Sequence, residues 1–318
     1  KYIIGVDLNP RAIRFSRFNS QLNGLTNYKV VYGNLYDSIT DKCFDVILAN
    51  PPFVPSPQNA LGFRDGGNNG EEVLRSIISN ASRFLSDHGR LCIVSDLVDV
   101  ENYNKKIRDW IGKNKFDCLV LKTAERNEIL FSVPHCKAPF HQSYFEYNEE
   151  IDLWINNFRE NNLNSINFGY IFLWKNNENS DRKYASRTIN NPLTKIFNHV
   201  ENWYEQQSKW SSDYSDEMFV CIHPSTLIST TQDLVNNMIS YELSIKDNPF
   251  FTKYSISDYI YQKLIYILKF SPKKKDLKSS DNSWLKDLHT IGLISLENSK
   301  TNINNEFKYA SSSQKKEL

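Results

Sequence analysis

The chain has 318 residues, 40% of them hydrophobic, and its 38 basic and 37 acidic side chains leave a formal net charge of +1. That length supplies one good core and room for a second domain, while near-neutrality excludes a global electrostatic pull toward nucleic acid or a membrane surface. Five cysteines at irregular positions (Cys43, Cys92, Cys118, Cys136 and Cys221) argue for a reducing compartment over a disulfide framework. With no apolar run of roughly 18 residues and no signal-peptide pattern, the expectation is a soluble cytoplasmic protein without membrane partners.

The sequence opens at Lys1 directly into a hydrophobic strand, 2–6, which reads as the start of a segment cut from a longer polypeptide. Asn9 and Pro10 predict a helix start, and Ala12, Ile13, Phe18 and Leu22 recur at helical spacing before Asn23-Gly24 ends it. Strands are predicted over 28–32 and 44–49. After a proline- and glycine-rich loop, 51–70, the stripe Val73, Leu74, Ile77, Ile78, Ala81, Phe84 and Leu85 predicts a helix. Strand over 89–94, helix over 103–111, strand over 116–121, loop over 124–142, helix over 143–160 and a last strand over 166–174 complete a β-α alternation typical of a parallel α/β sheet. Beyond 176 that alternation stops and Asn, Ser and Lys become frequent. Residues 1–175 are therefore expected to form one domain and 176–318 an appended region, helical or winged-helix-like, with helices over 256–270 and 283–291.

The tetrapeptide Asn50-Pro51-Pro52-Phe53 carries the clearest chemical signal. Neither proline can donate to a ladder, so the chain must leave the sheet there. Extended geometry before each proline holds the Asn50 side chain and the Pro51 carbonyl as fixed acceptors at the strand's carboxyl end, beside the flat face of Phe53. Two acceptors and a ring suit a planar group bearing an NH2, such as an amide or a nucleobase amine. Asp7 ends the first strand and Asn34 closes the second, so three polar residues stand at three consecutive carboxyl ends, the edge where open α/β sheets bind ligands.

In order, Gly5-Val6-Asp7-Leu8-Asn9-Pro10-Arg11-Ala12, Gly33-Asn34-Leu35, and Phe44-Asp45 leading into Asn50-Pro51-Pro52-Phe53 resemble a class I S-adenosylmethionine-dependent methyltransferase, more narrowly the HemK-like small-domain amino-group methyltransferases. The stretch 66–74 resembles the loop and helix after that motif, and the resemblance covers about residues 1–123. It implies a Rossmann-like sheet whose first strand and glycine-rich loop lie outside the chain, and hence weak or no binding of S-adenosylmethionine by residues 1–318 alone. It also implies that Asp7 holds the cofactor ribose, that Asn34 and the Leu35 backbone face the adenine, and that Asn50 adjoins the cofactor while Asn50, Pro51, Pro52 and Phe53 seat the target nitrogen. The implied substrate is a protein glutamine or a nucleobase in RNA or DNA. A non-catalytic module that kept the acceptor edge and lost the cofactor is the alternative.

Other signals carry less. Gly62 to Gly70 follows the tetrapeptide and reads as a mobile substrate-side loop. His135, Cys136 and His141, or Cys221 with His223, lack metal-ligand spacing. Lys273, Lys274, Lys275 and Lys278 read as a solvated linker, and Trp203, Trp210 and Trp284 as packing residues.

Overall fold

A computed structural model describes residues 2–40, 43–137, 143–176, 183–189, 196–210, 214–245 and 253–300; His141 lies outside them. The chain divides into two compact units, 1–188 and 189–318.

The first unit opens with β1 (Ile3–Asp7), α1 (Pro10–Leu22) and β2 (Tyr28–Tyr32). β1 and β2 run parallel, from Ile3 opposite Tyr28 to Asp7 opposite Tyr32, as a two-stranded sheet. Asn9 caps α1 by accepting from the Arg11 N–H, with Pro10 in the first turn, and Gly24 follows its end at φ +63°. Of the expected apolar stripe only Ile13 is buried; Phe18 and Leu22 are exposed, because the narrow two-stranded sheet offers no surface wide enough to cover them.

A five-stranded sheet follows, built from β3 (Phe44–Ala49), β4 (Leu85–Val98), β5 (Phe116–Arg126), β6 (Ile166–Lys175) and β7 (Tyr184–Thr188) in the order β3-β4-β6-β5-β7. β3 is parallel to β4 and β7 to β5, whereas β6 lies antiparallel between β4 and β5. β3 forms one edge, with Leu48 73% exposed. Alternation along β4 sorts its side chains by face. Leu91, Ile93 and Leu97 pack with Leu74, Ile77, Ile78 and Ala81 of α2 (Glu72–Phe84) and with Tyr103, Ile107 and Ile111 of α3 (Tyr103–Ile111). On the other face Val98 joins Val54, Phe131, Trp154, Phe158 and Ile166, gathered by α4 (Glu128–Ser132) and α5 (Tyr144–Glu160). Each such aliphatic side chain contributes about 1.5–3 kcal/mol when fully buried.

Two segments differ from the sequence expectation. β4 extends beyond 89–94 in both directions: back to Leu85, where the register against β3 shifts and a Cβ on Gly89 would lie 2.8 Å from the Phe44 carbonyl, and on to Val98, where Asp96, Leu97 and Val98 pair with β6. The expected loop after 124 instead continues β5 to Arg126 and holds α4, capped by the Asn127 side chain accepting from the Leu130 N–H at 2.9 Å and anchored by buried Phe131.

The second unit contains α6 (Ile196–Trp210), β8 (Phe219–Ile222), β9 (Thr226–Asp233), β10 (Met238–Ile245), β11 (Tyr254–Ile256), α7 (Asp258–Phe270), α8 (Asn282–Thr290) and β12 (Ile294–Glu297). β9, β10 and β11 form an antiparallel sheet and β8 pairs with β12. Val220, Leu243, Leu264, Leu285, Leu293 and Leu296 centre its core, with Trp210 and Trp284 packed at the side. The Lys273 and Lys275 ammonium groups pair with Glu217, and that of Lys274 with Asp216, so this basic run is met by local acids. Among the described residues no helix is long and apolar enough to cross a membrane.

His289 of α8 is 1% exposed, its ring lies 4.9 Å from that of Trp210, and its Nε2 finds no hydrogen-bond partner among the described residues. Burial, with Lys209 and Lys274 nearby, depresses its pKa to about 4. A histidine depressed on folding contributes stability above its unfolded pKa of about 6.5 that is lost as pH falls toward the folded value. Acidification from pH 7 to 5 is expected to cost the second unit about 2 kcal/mol. Hydrogen-exchange protection factors of the α8 amides should fall accordingly and the fall should largely vanish in His289→Leu; equal falls in both proteins would assign the sensitivity elsewhere.

Candidate active site

Asp7 and Asn34 are brought together by the β1–β2 pairing, whose last bond runs from the Gly33 N–H to the Asp7 carbonyl at 3.1 Å. One Asp7 carboxylate oxygen accepts from the Asn9 N–H at 2.7 Å, so Asp7 also fastens the turn into α1. Leu35 has φ +48°, a left-handed conformation that costs a non-glycine residue about 1–3 kcal/mol and concentrates at functional turns. It persists here because the Leu35 side chain packs on the main core, beside Tyr36, whose hydroxyl donates to the Ile77 carbonyl at 3.1 Å and whose ring stacks on Phe84. Burial pushes the Tyr36 pKa up, keeping that hydroxyl a donor. Asn50 follows β3 in the other sheet, and among the described residues no hydrogen bond links it to Asp7 or Asn34.

Asn50 is exposed and its side chain makes no hydrogen bond among the described residues, whereas Pro51 behind it is buried. The chain beyond is fastened by backbone hydrogen bonds, several of them from or to residues of the 62–70 loop. The Phe53 and Val54 N–H groups both donate to the Arg64 carbonyl (3.0 and 2.9 Å), Gly66 N–H to the Val54 carbonyl (2.9 Å), and Ser56 N–H to the Gly67 carbonyl (3.1 Å). Its glycines are required by closeness: a Cβ on Gly66 would meet the Phe53 Cα and the Pro52 carbonyl at 2.8 Å, and Gly70, at φ +74°, would meet the Phe53 carbonyl at 2.6 Å. The loop thus folds back on the tetrapeptide and holds its backbone.

Glu71 closes that loop with a buried carboxylate. It accepts from the Tyr103 hydroxyl at 2.9 Å and from Lys106 Nζ at 3.0 Å, and Lys106 donates also to the Val98 carbonyl at 2.8 Å. Burial raises the Glu71 pKa against the opposing pull of Lys106. Asn157 of α5 binds the Asn68 carbonyl at 2.9 Å from the other side.

The ring of Phe53 meets that of Phe168 edge-on at 6.5 Å, and Phe168 lies directly across the ladder from Asp96. Asp96 is 3% exposed and pairs with Arg126, whose guanidinium lies over the Phe131 ring. His135 stacks between Phe131 and Trp154, and Arg64 covers the Trp154 ring while pairing with buried Asp65 at 2.6 Å. Burial pushes the Asp65 pKa up, but Arg64, the Leu61 N–H and Ser56 hold it below the usual carboxylate value. For His135, burial depresses the pKa most, and Arg64 and Arg126 push the same way. Sequence reasoning missed Glu71, Asp96, Arg126 and Phe168 as neighbours of the tetrapeptide. Asp96 was within reach, since it stands near the carboxyl end of the strand next to β3; Arg126 was not, because its partner is 30 residues away.

The family profile described as the methyltransferase small domain matches residues 1–118. A putative protein N5-glutamine methyltransferase from Methanocaldococcus jannaschii is 34% identical over 113 residues, covering 33% of this chain and 56% of that protein. A release factor glutamine methyltransferase from Thermodesulfovibrio yellowstonii is 29% identical over 98 residues, 27% of this chain and 35% of its own. A tRNA (guanine(10)-N2)-dimethyltransferase from Methanothermobacter thermautotrophicus is 26% identical over 93 residues, 29% of this chain and 26% of its own. The chain thus spans little more than half the length of the first of these relatives and about a third or less of the others. Residues 1–118 thus match a methyltransferase small domain, and this part of the chain is similar to class I S-adenosylmethionine-dependent methyltransferases.

Proposed function

We propose that the protein moves a methyl group from S-adenosylmethionine to a planar nitrogen, with the side-chain amide of a protein glutamine as the favoured acceptor. The observation that carries this reading is the pinned tetrapeptide: Asn50 is exposed at a carboxyl strand end, with no side-chain hydrogen bond among the described residues, on a backbone held by Arg64, Gly66 and Gly70. The glutamine preference is supported by two relatives whose names specify that residue.

The residues present fit the cofactor, which supplies a methyl group on a positively charged sulfur. Asp7 offers an exposed carboxylate at the end of β1 for the ribose hydroxyls, and Asn34 with the left-handed Leu35 backbone offers polar atoms for the adenine. An amide nitrogen is a poor nucleophile because its lone pair is delocalised. The Asn50 side-chain oxygen and the Pro51 carbonyl would each accept one of its hydrogens, which would favour the positive charge that develops on the nitrogen as it takes the methyl group that the cofactor would supply, the electron pair of the broken bond staying with sulfur. Phe53 stacks on the amide plane and aligns it. One of the two N–H protons then leaves to solvent, so no strong base is needed.

A nucleobase amine would satisfy the same acceptors, a reading favoured by the RNA-modifying relative. The deciding experiment incubates protein expressed from its complete gene with labelled S-adenosylmethionine and a cell lysate, followed by mass spectrometry of the protein, RNA and DNA fractions. Label on glutamine in protein is expected. Label in nucleic acid alone would replace the acceptor, and no label in any fraction would leave the non-catalytic module as the better description.

A further inference from the structure

We propose that Arg126 is the group that recognises the acceptor's own hydrogen-bond acceptor, the carbonyl oxygen beside the target NH2, and that Asp96 is the residue that positions it. The inference rests on the proposed methyl transfer to an amide and adds the half of the recognition that the tetrapeptide cannot supply. Asn50 and Pro51 offer only acceptors. A primary amide presents two hydrogens and one oxygen, and an oxygen left unpaired on entering a pocket opposes binding.

The geometry places a donor on the right side. Asp96 and Phe168 are cross-strand neighbours and so share one face of the sheet. Phe53 touches Phe168 and packs against the cluster containing Phe131 and Val98. The Arg126 guanidinium, 5.1 Å above the Phe131 ring and bonded to Asp96, therefore belongs to the wall that Phe53 faces. Its side chain is 32% exposed, so part of its fork of N–H donors remains open after the Asp96 bond is made.

Charge decides what those donors can hold. Beside a buried carboxylate the guanidinium is neutralised, which suits a neutral carbonyl oxygen better than a phosphate or carboxylate, since an anion would meet the Asp96 charge as well. The ring of Phe131 below and the carboxylate at one edge fix the plane of the fork, so little side-chain entropy is lost on binding. Arg126 lies beyond residues 1–118, outside the family match, where a chain-specific acceptor wall belongs.

The test uses protein from the complete gene, labelled S-adenosylmethionine and the lysate fraction that the wild-type protein labels. Arg126→Ala is expected to raise the KM for that acceptor about tenfold or more, the scale for removing one partner of a buried hydrogen bond, with cofactor affinity by calorimetry unchanged. Arg126→Lys, which keeps the charge and loses the fork, should fall between. Because Arg126→Ala strands a buried carboxylate, the double variant Asp96→Asn/Arg126→Ala serves as the folded control and should show the same KM defect. Wild-type KM in the double variant would overturn the assignment, as would loss of cofactor binding in step with acceptor binding. A wild-type protein that labels nothing would remove the methyl-transfer reading and this one with it, whereas normal labelling by the variants would remove this one alone.

Discussion

Asn50→Ala is expected to lower the turnover of methyl transfer by about two orders of magnitude, the scale for losing one preorganised acceptor in a transition state, while cofactor affinity stays within about twofold. Pro51 and Pro52 end the β3 ladder and bring the Asn50 amide out of it, and the bonds from Phe53, Val54 and Gly66 keep that exit rigid. The Asn50 backbone is therefore held in place, so its side-chain oxygen needs little reorganisation to meet a developing charge, and such a group is worth more in the transition state than in the ground state. The defect should fall on kcat more than on KM. Asn50→Asp, which keeps an acceptor, should retain more activity than Asn50→Ala. Single-turnover measurement of the three proteins with the labelled acceptor fraction decides the matter; equal turnover in wild type and Asn50→Ala would remove Asn50 from the active site.

Local rules reached this site because its defining signals are local. The proline pair, the alternating run before it and the cap at Asn9 each act within a few residues, so the β2, β3 and α3 boundaries follow from the sequence and Asn50 falls where expected. What escaped was long-range. β4 runs past Val94 because Asp96, Leu97 and Val98 pair with the distant β6, which sets Asp96 opposite Phe168, the ring that Phe53 meets. Residues 124–137 read as loop because their anchor, Phe131, is a single apolar side chain whose partners Val54, Trp154 and Phe158 lie on separate elements. The glycine-rich stretch read as mobile because glycine frequency is visible in a sequence, whereas the close approach of Gly66 to Phe53 is not. Phe18 and Leu22 fit a helical stripe by spacing, yet spacing does not reveal whether anything covers it.

Lys106→Met is expected to destabilise the first unit by about 3–5 kcal/mol at pH 7, the cost of leaving a buried carboxylate without its counter-charge. Glu71 shows why. Its carboxylate is buried, Tyr103 supplies one hydrogen bond, and among the described residues Lys106 supplies the other two and the opposing full charge that contacts it. Burial already raises the Glu71 pKa with Lys106 present; without it the carboxyl should move higher still. A carboxyl whose folded pKa exceeds its unfolded value opposes folding above that range and is relieved as pH falls through it. The gap between wild type and Lys106→Met should therefore narrow between pH 7 and 5, a direction opposite to that expected for His289 in the second unit. The double variant Glu71→Leu/Lys106→Met should recover most of the loss, since a buried ion pair replaced by apolar groups of similar size is often neutral or stabilising. Urea denaturation of these three proteins at both pH values provides the measurement, and a Lys106→Met loss that is small or independent of pH would show that water reaches Glu71. The consequence extends to the proposed acceptor site, because Glu71 closes the loop whose Gly66 and Gly70 hold Phe53. Even where Lys106→Met remains folded, weakening that closure should raise the KM for the acceptor before it changes the affinity for S-adenosylmethionine, whose proposed contacts at Asp7 and Asn34 lie on the other sheet.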